Sequence, residues 1–203
     1  MRTLIVTSYR GEWSPKIGPV EAMVRLFSES DVVSDADLTA DYDLSRYKAV
    51  VLSGSPNLIS RSQYLPGLVG FLQREELPTL GICYGHQMLA KAHGARVING
   101  GKFLEGMDKV RVLVQEPLFI GLPKEIVVME SHREHVVLEG LASAGFKLLA
   151  DSRTSDVEAM RHNAKPLFGL QFHLERSGDV GRQVMENFFK FARGFQPRGG
   201  LIG

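Results

Sequence analysis

Apolar positions along this chain fall into short runs that alternate between two spacings, and the alternation predicts strands and helices in turn. Thr3-Leu4-Ile5-Val6-Thr7 is a run of β-branched and apolar residues that reads as a buried first strand. The Gly and Pro of Tyr9 to Pro15 mark a loop, after which Val20, Met23, Val24 and Phe27 recur at helical spacing. Lys48 to Leu52 is the next strand and ends in the turn cluster Ser53-Gly54-Ser55-Pro56-Asn57, followed by a helix carrying Leu65, Leu68, Val69 and Leu72. Pro78 then introduces a strand that runs up to Gly81 and Cys83, with a helix beyond it. Strand and helix in alternation argue for parallel βαβ units, whose sites gather at the carboxyl ends of strands.

The pattern changes in the second half. Lys109 to Val114 alternates polar and apolar as a half-exposed strand does, and Ile126–Ser131, Phe146–Ala150, Val157–Arg161 and Leu167–Phe172 are further short strands between Gly, Asp and Pro signals. A last helix runs from near Asp179 to about Arg193, with Val184, Phe188 and Phe191 on one face. The expected fold is α/β, an open, mostly parallel central sheet flanked by helices with additional antiparallel strands in the second half. Residues 1–195 are expected to form a single domain and 196–203 a flexible tail.

Composition narrows the function classes. A chain of 203 residues with 44% hydrophobic content can bury one sizeable core. The net charge of +1, with no basic block, argues against nucleic acid as a partner. A single cysteine cannot form an internal disulfide, and no Cys/His ligand spacing indicates a metal site. His132, Glu134 and His135 are the nearest approach to a ligand set, but their spacing is not His-Glu-x-x-His. No stretch approaches membrane-spanning length and the start is too short in apolar residues for a signal peptide, so a cytoplasmic location is expected.

The candidate chemistry centres on Gly81-Ile82-Cys83-Tyr84-Gly85-His86-Gln87. Read as strand, sharp turn and helix, it is a nucleophile elbow in which the two glycines provide room for a strained residue between them. The turn sets the Cys83 sulfur at a helix N-terminus, where unpaired N–H groups and the helix dipole favour a thiolate. A thiol nucleophile needs a base, and the base needs an orienting partner. His173, ending the strand from Leu167, and Glu175, two residues on and so on the same side of an extended chain, are the best candidates.

Together with Leu52-Ser53-Gly54-Ser55-Pro56 and Gly169-Leu170-Gln171-Phe172-His173-Leu174-Glu175, the elbow resembles the class I, triad-type glutamine amidotransferases, over roughly residues 3 to 193. Within that family, Glu130-Ser131-His132-Arg133-Glu134-His135-Val136 and the Glu158-Ala159-Met160 stretch are similar to the amidotransferase component of GMP synthase, its Ser-His-x-x-x-Val loop included. The resemblance implies a flavodoxin-like sheet and hydrolysis of L-glutamine through a Cys83 thioester, with His173 and Glu175 completing the triad. It implies backbone N–H donors at Tyr84 and in the Gly54-Ser55 turn for the tetrahedral oxygen, and Gln87, Ser131, His132 and Arg133 as holders of the substrate's amino and carboxylate ends.

The chain also departs from that family. Leu174 stands where proline is usual between the histidine and glutamate, Ser55 replaces a second glycine, and Tyr9-Arg10-Gly11-Glu12-Trp13 lacks the usual Asp-x-Gly-x-Gln-Tyr start. Arg176-Ser177-Gly178-Asp179 lacks the His-Thr pair of the GMP synthase type and looks more like the glutaminase of imidazole glycerol phosphate synthase. No phosphate-binding loop is present, since Gly100-Gly101-Lys102 is followed by Phe103, so no cofactor is expected in this chain. ATP and magnesium are expected on a separate ATP-dependent synthetase, with XMP as acceptor. A stand-alone γ-glutamyl hydrolase, the glutaminase of another synthase and a non-catalytic regulatory module remain alternatives.

Overall fold

The computed structural model describes residues 1–196 apart from Ala40 and Glu116, so the tail expected at 196–203 lies, beyond Gln196, outside the described residues. Nine strands form one sheet: β1 (Arg2–Thr7), β2 (Glu29–Ser34), β3 (Ala49–Leu52), β4 (Thr79–Ile82), β5 (Val97–Val112), β6 (Glu125–Val136), β7 (Phe146–Ser152), β8 (Ala159–His162) and β9 (Leu167–Leu170). Among the described residues four α-helices accompany them: α1 (Ile17–Arg25), α2 (Pro66–Arg74), α3 (Tyr84–Ala92) and α4 (Gly178–Gly194). The spatial order is β2-β1-β3-β4-β9-β8-β7-β5-β6.

The first five strands in that order pair in parallel, and the remaining pairings are antiparallel. The α/β class expected from the sequence therefore holds, with the sheet evenly mixed in its pairings. Alternation along the parallel strands sends side chains to two cores, because successive residues of a strand face opposite ways. Ile5 and Val51 pack with Val20 and Val24 of α1 and with Val184 and Phe188 of α4. Leu4, Val50 and Leu52 pack on the other face with Leu68 and Leu72 of α2 and Met88 and Leu89 of α3.

β9 ends two residues short of the expected Phe172 and β6 runs on past Ser131 to Val136, but β2 and β5 differ most in kind from the sequence reading. β2 has a polar, half-exposed face that gives no strand signal, yet it pairs along its whole length with β1, where Arg2 bonds Asp31 at 2.8 Å. β5 begins well before Lys109, and the register shift between Asn99 and Leu104 shows that Gly100-Gly101 marks an irregularity inside a strand and not its end. Among the described residues, no helix is long and apolar enough to cross a membrane.

Candidate active site

The elbow forms where β4 meets α3. Cys83 sits between them at φ 50° and ψ −102°, a backbone conformation that L-residues rarely adopt. The flanking glycines make this possible. A Cβ on Gly81 would lie 2.5 Å from the Gly85 carbonyl carbon, and one on Gly85 would lie 2.6 Å from Leu52 Cβ and 2.7 Å from the Leu52 carbonyl oxygen. The bend is tied on both sides, by Cys83 N–H to Leu170 O (2.8 Å) and Gly85 N–H to Ser53 O (3.1 Å). The Gly85 N–H is thereby occupied, while the Tyr84 N–H, at the first position of α3, has no helical acceptor.

His173 arrives by a different route from the one expected. β9 ends at Leu170, and His173 precedes a single 3-10 turn, Leu174–Arg176, so Glu175 reaches the ring across a turn and not along an extended strand. The contact itself is the one expected from the sequence, with His173 Nδ1 2.6 Å from Glu175 Oε1. Two bonds hold the turn to β6, His173 N–H to Met129 O (2.8 Å) and Met129 N–H to Ser177 Oγ (2.9 Å), and a third, Ser177 Oγ–H to His173 O (2.7 Å), closes the turn on itself. Leu174, in place of proline, is wholly buried in the core and anchors the turn by packing.

These segments converge on a cavity of about 540 Å³ bordered by Ser55, Cys83, Gln87, Ser131, His132, Arg133, His173 and Glu175. Gly54 and Tyr84 do not border it with side chains. Gly54 lies directly against the histidine, since a Cβ there would be 3.0 Å from His173 Cε1. Ser131-His132-Arg133 belongs to β6 and is strand, not loop, and its Ser131 carbonyl oxygen is 3.8 Å from the Cys83 sulfur. Burial opposes charge on His173, but the Cys83 sulfur and the Glu175 carboxylate outweigh it and hold the imidazole well above its usual range.

Several residues that sequence reasoning gave no role also belong to the site. Gln171 donates from Nε2 to the Cys83 sulfur at 3.6 Å, and Gln87 Nε2 donates to both Gln171 Oε1 (3.1 Å) and Glu134 O (2.7 Å). Both amide hydrogens of Gln87 are thus committed inward. The Glu134 carboxylate accepts from the N–H groups of Ile59 (2.6 Å) and Ser60 (3.1 Å), which makes it an anchor for the 3-10 turn Ile59–Arg61. Tyr9, Trp13, Phe103 and Arg176 also line the cavity. Only Gln171 carries a local signal, its place two residues before His173; the others arrive through the fold.

Behind this wall lies a buried acid pair. Desolvation raises Glu130 to about 7 and Glu158 well above the usual carboxylate range, the two acids facing each other. His132 is buried too, and desolvation lowers its pKa. Its Nδ1 is 2.9 Å from the Glu134 carbonyl oxygen, which can only accept, so Nδ1 carries the hydrogen in the neutral ring. Nε2, 3.3 Å from Glu130 Oε2, is then an acceptor, and a protonated Glu130 matches it. Among the described residues, no three His, Cys, Asp or Glu side chains gather as a metal-binding group.

Comparison with known proteins agrees with this architecture. The family model described as glutamine amidotransferase class-I matches residues 20–192. The chain is 32% identical over 161 residues to a glutamine-hydrolysing GMP synthase subunit of Thermococcus kodakarensis, covering 79% of this chain and 84% of that one. It is 37% identical over 144 residues to the corresponding GMP synthase subunit of Methanococcus aeolicus, covering 70% and 73%. A crystal structure from Thermoplasma acidophilum, assigned as the same GMP synthase subunit, superposes with a TM-score of 0.81 at 28% identity, covering 95% of this chain and 94% of that one.

Proposed function

This chain belongs to the class I glutamine amidotransferases and resembles the glutamine-hydrolysing subunit of GMP synthase, and from that premise we propose that it hydrolyses L-glutamine at Cys83 and hands the ammonia to a separate synthetase. Cys83 attacks the side-chain amide carbon while His173 accepts the thiol proton and returns one to the departing ammonia. Water then cleaves the thioester to release glutamate. Glu175 orients the imidazole and supports its charged form. The observation that carries this reading is the convergence of a strained cysteine between two obligatory glycines with a His173–Glu175 pair from a distant turn.

Negative charge on the tetrahedral oxygen is met by backbone donors. The Tyr84 N–H is open, and Ser53 Oγ–H donates to the Gly54 carbonyl oxygen at 2.8 Å, which in a trans peptide turns the Ser55 N–H the other way. Gln87 keeps its carbonyl oxygen for the substrate's ammonium, and Ser131, His132 and Arg133 hold the amino-acid end from the β6 side.

The partner is an ATP-dependent synthetase of the GMP synthase type, with ATP and magnesium bound there and XMP as acceptor. The reading is supported by the GMP synthase relatives and by the lack of a phosphate loop in this chain. A glutaminase assay with and without such a synthetase and XMP tests it. Hydrolysis should rise on mixing and vanish in Cys83→Ala; no rise with the synthetase would remove the partner assignment.

One observation favours a second reading, a partner-free γ-glutamyl hydrolase. The cavity of about 540 Å³ is roomy for glutamine, and the aromatic side chains of Trp13 and Phe103 are among those lining it. Faster turnover of bulky γ-glutamyl amides than of glutamine, without a synthetase, would select it.

A further inference from the structure

The segment after β1 departs from the start usual in the family, and it places an aromatic hydroxyl beside the Gly54 turn. Tyr9 is buried except where it borders the cavity. Its hydroxyl makes no hydrogen bond to the protein among the described residues; only its backbone N–H is engaged, with Thr7 Oγ1 at 3.2 Å. An ideal Cβ on Gly54 would lie 2.5 Å from Tyr9 Oη and 3.0 Å from His173 Cε1, so one point on the turn touches both groups.

The placement is braced. Ser8 N–H donates to Ser53 Oγ at 3.1 Å, and Ser55 Oγ donates to Ser8 O at 3.1 Å, so the residue before Tyr9 is bonded on both sides of Gly54. The Tyr9 side chain lines the cavity, so a substrate group entering that cavity can accept the hydrogen that no protein group takes. The hydroxyl lies next to the Gly54-Ser55 turn, in a cavity that Cys83 and His173 also line.

The geometry points to Tyr9 as a catalytic residue whose O–H donates to the tetrahedral oxygen formed when Cys83 attacks the amide, acting alongside the backbone N–H groups of Tyr84 and Ser55. No proton is transferred; the hydroxyl strengthens its bond as the oxygen gains charge. Burial, then the Cys83 and Glu175 charges, push the phenol above its ordinary range, so it stays a donor throughout the working pH. A side-chain donor also relieves the turn of depending on a second glycine, the place taken by Ser55. The inference rests on Cys83 being the nucleophile.

Tyr9→Phe tests it, because the ring and its packing remain while the donor is lost. Expected is a fall in kcat for glutamine on the order of 10²-fold, as for loss of one oxyanion donor. KM, glutamate affinity, melting temperature and the rate of Cys83 alkylation by iodoacetamide should stay as in the wild type, since none of these builds charge on the amide oxygen. Wild-type kcat in Tyr9→Phe overturns the assignment. An equal fall in alkylation also overturns it, by showing that Tyr9 acts through the sulfur or His173. Wild-type hydrolysis by Cys83→Ala would instead remove the nucleophile reading itself, and this inference with it.

Discussion

His173 Nδ1 and Glu175 Oε1 lie 2.6 Å apart across a single 3-10 turn, with both side chains almost fully buried. Burial works against a charged imidazole, and the sulfur on one side and the carboxylate on the other work for it. The His173 titration followed by NMR should therefore have its midpoint well above 6.5 in the wild type and move down in both Glu175→Gln and Cys83→Ala. Glu175→Gln should also cut glutamine turnover by roughly 10²–10⁴-fold, by analogy with loss of the orienting acid in serine triads. An unmoved midpoint in both variants would separate the pair from the charge on His173.

The elbow stores strain that only its neighbours' lack of Cβ atoms permits. Gly81→Ala and Gly85→Ala place a methyl against backbone atoms that cannot step aside, and each should lose about 2–3 kcal/mol in denaturant unfolding. Cys83→Gly acts oppositely, since glycine adopts φ 50° at little cost. It should be at least as stable as Cys83→Ala while abolishing hydrolysis. A Cys83→Gly less stable than Cys83→Ala would show that the buried Cβ and the restricted unfolded chain outweigh the backbone strain.

Glu130 gives a pH dependence of stability. Its unfolded pKa is near 4.5 and its folded one about 7, raised chiefly by burial. Between these values the folded protein keeps a proton that the unfolded chain has released, so stability falls as pH rises through this window and the full penalty, on the order of 3 kcal/mol, applies above it. Glu130→Gln should raise the melting temperature at pH 8 and much less at pH 5. Equal effects at the two pH values would place the ionisation elsewhere, on Glu158 or His173, which bear on Glu130, or on His132, whose Nε2 is 3.3 Å from it.

The amide chain from Glu134 O through Gln87 and Gln171 to the sulfur should behave as a unit. Gln87→Met and Gln171→Met should each lower kcat, and the double variant should fall short of the product of the two effects. Additive losses would mean that Gln87 serves the substrate alone.

The elbow is legible in the sequence because its constraint is local: two glycines around a cysteine at a strand–helix junction leave few other uses for that spacing. The His173–Glu175 pair is legible for a different reason from the one that operates. Period two on a strand and one 3-10 turn both bring residues two apart near each other, and sequence does not separate them. β2 escapes notice because Glu29-Ser30-Asp31 is polar and its stability comes from pairing with β1 and from Arg2. The first half of β5 is hidden by Gly100-Gly101, where a positive φ of 82° at Gly101 marks a distortion within the strand. The positions of Tyr9 and Glu134 beside the candidate site leave no local signal at all, since what places them is contact with segments far away in the chain.

Cys83 is the chain's only cysteine. No second thiol can capture its sulfenic acid as an internal disulfide, so mild oxidation must be reversed by a thiol from outside, and stronger oxidation to the sulfinic acid is final. The same solitude makes the protein self-reporting. One added mass on the intact chain counts modified Cys83 directly, with no background from other thiols.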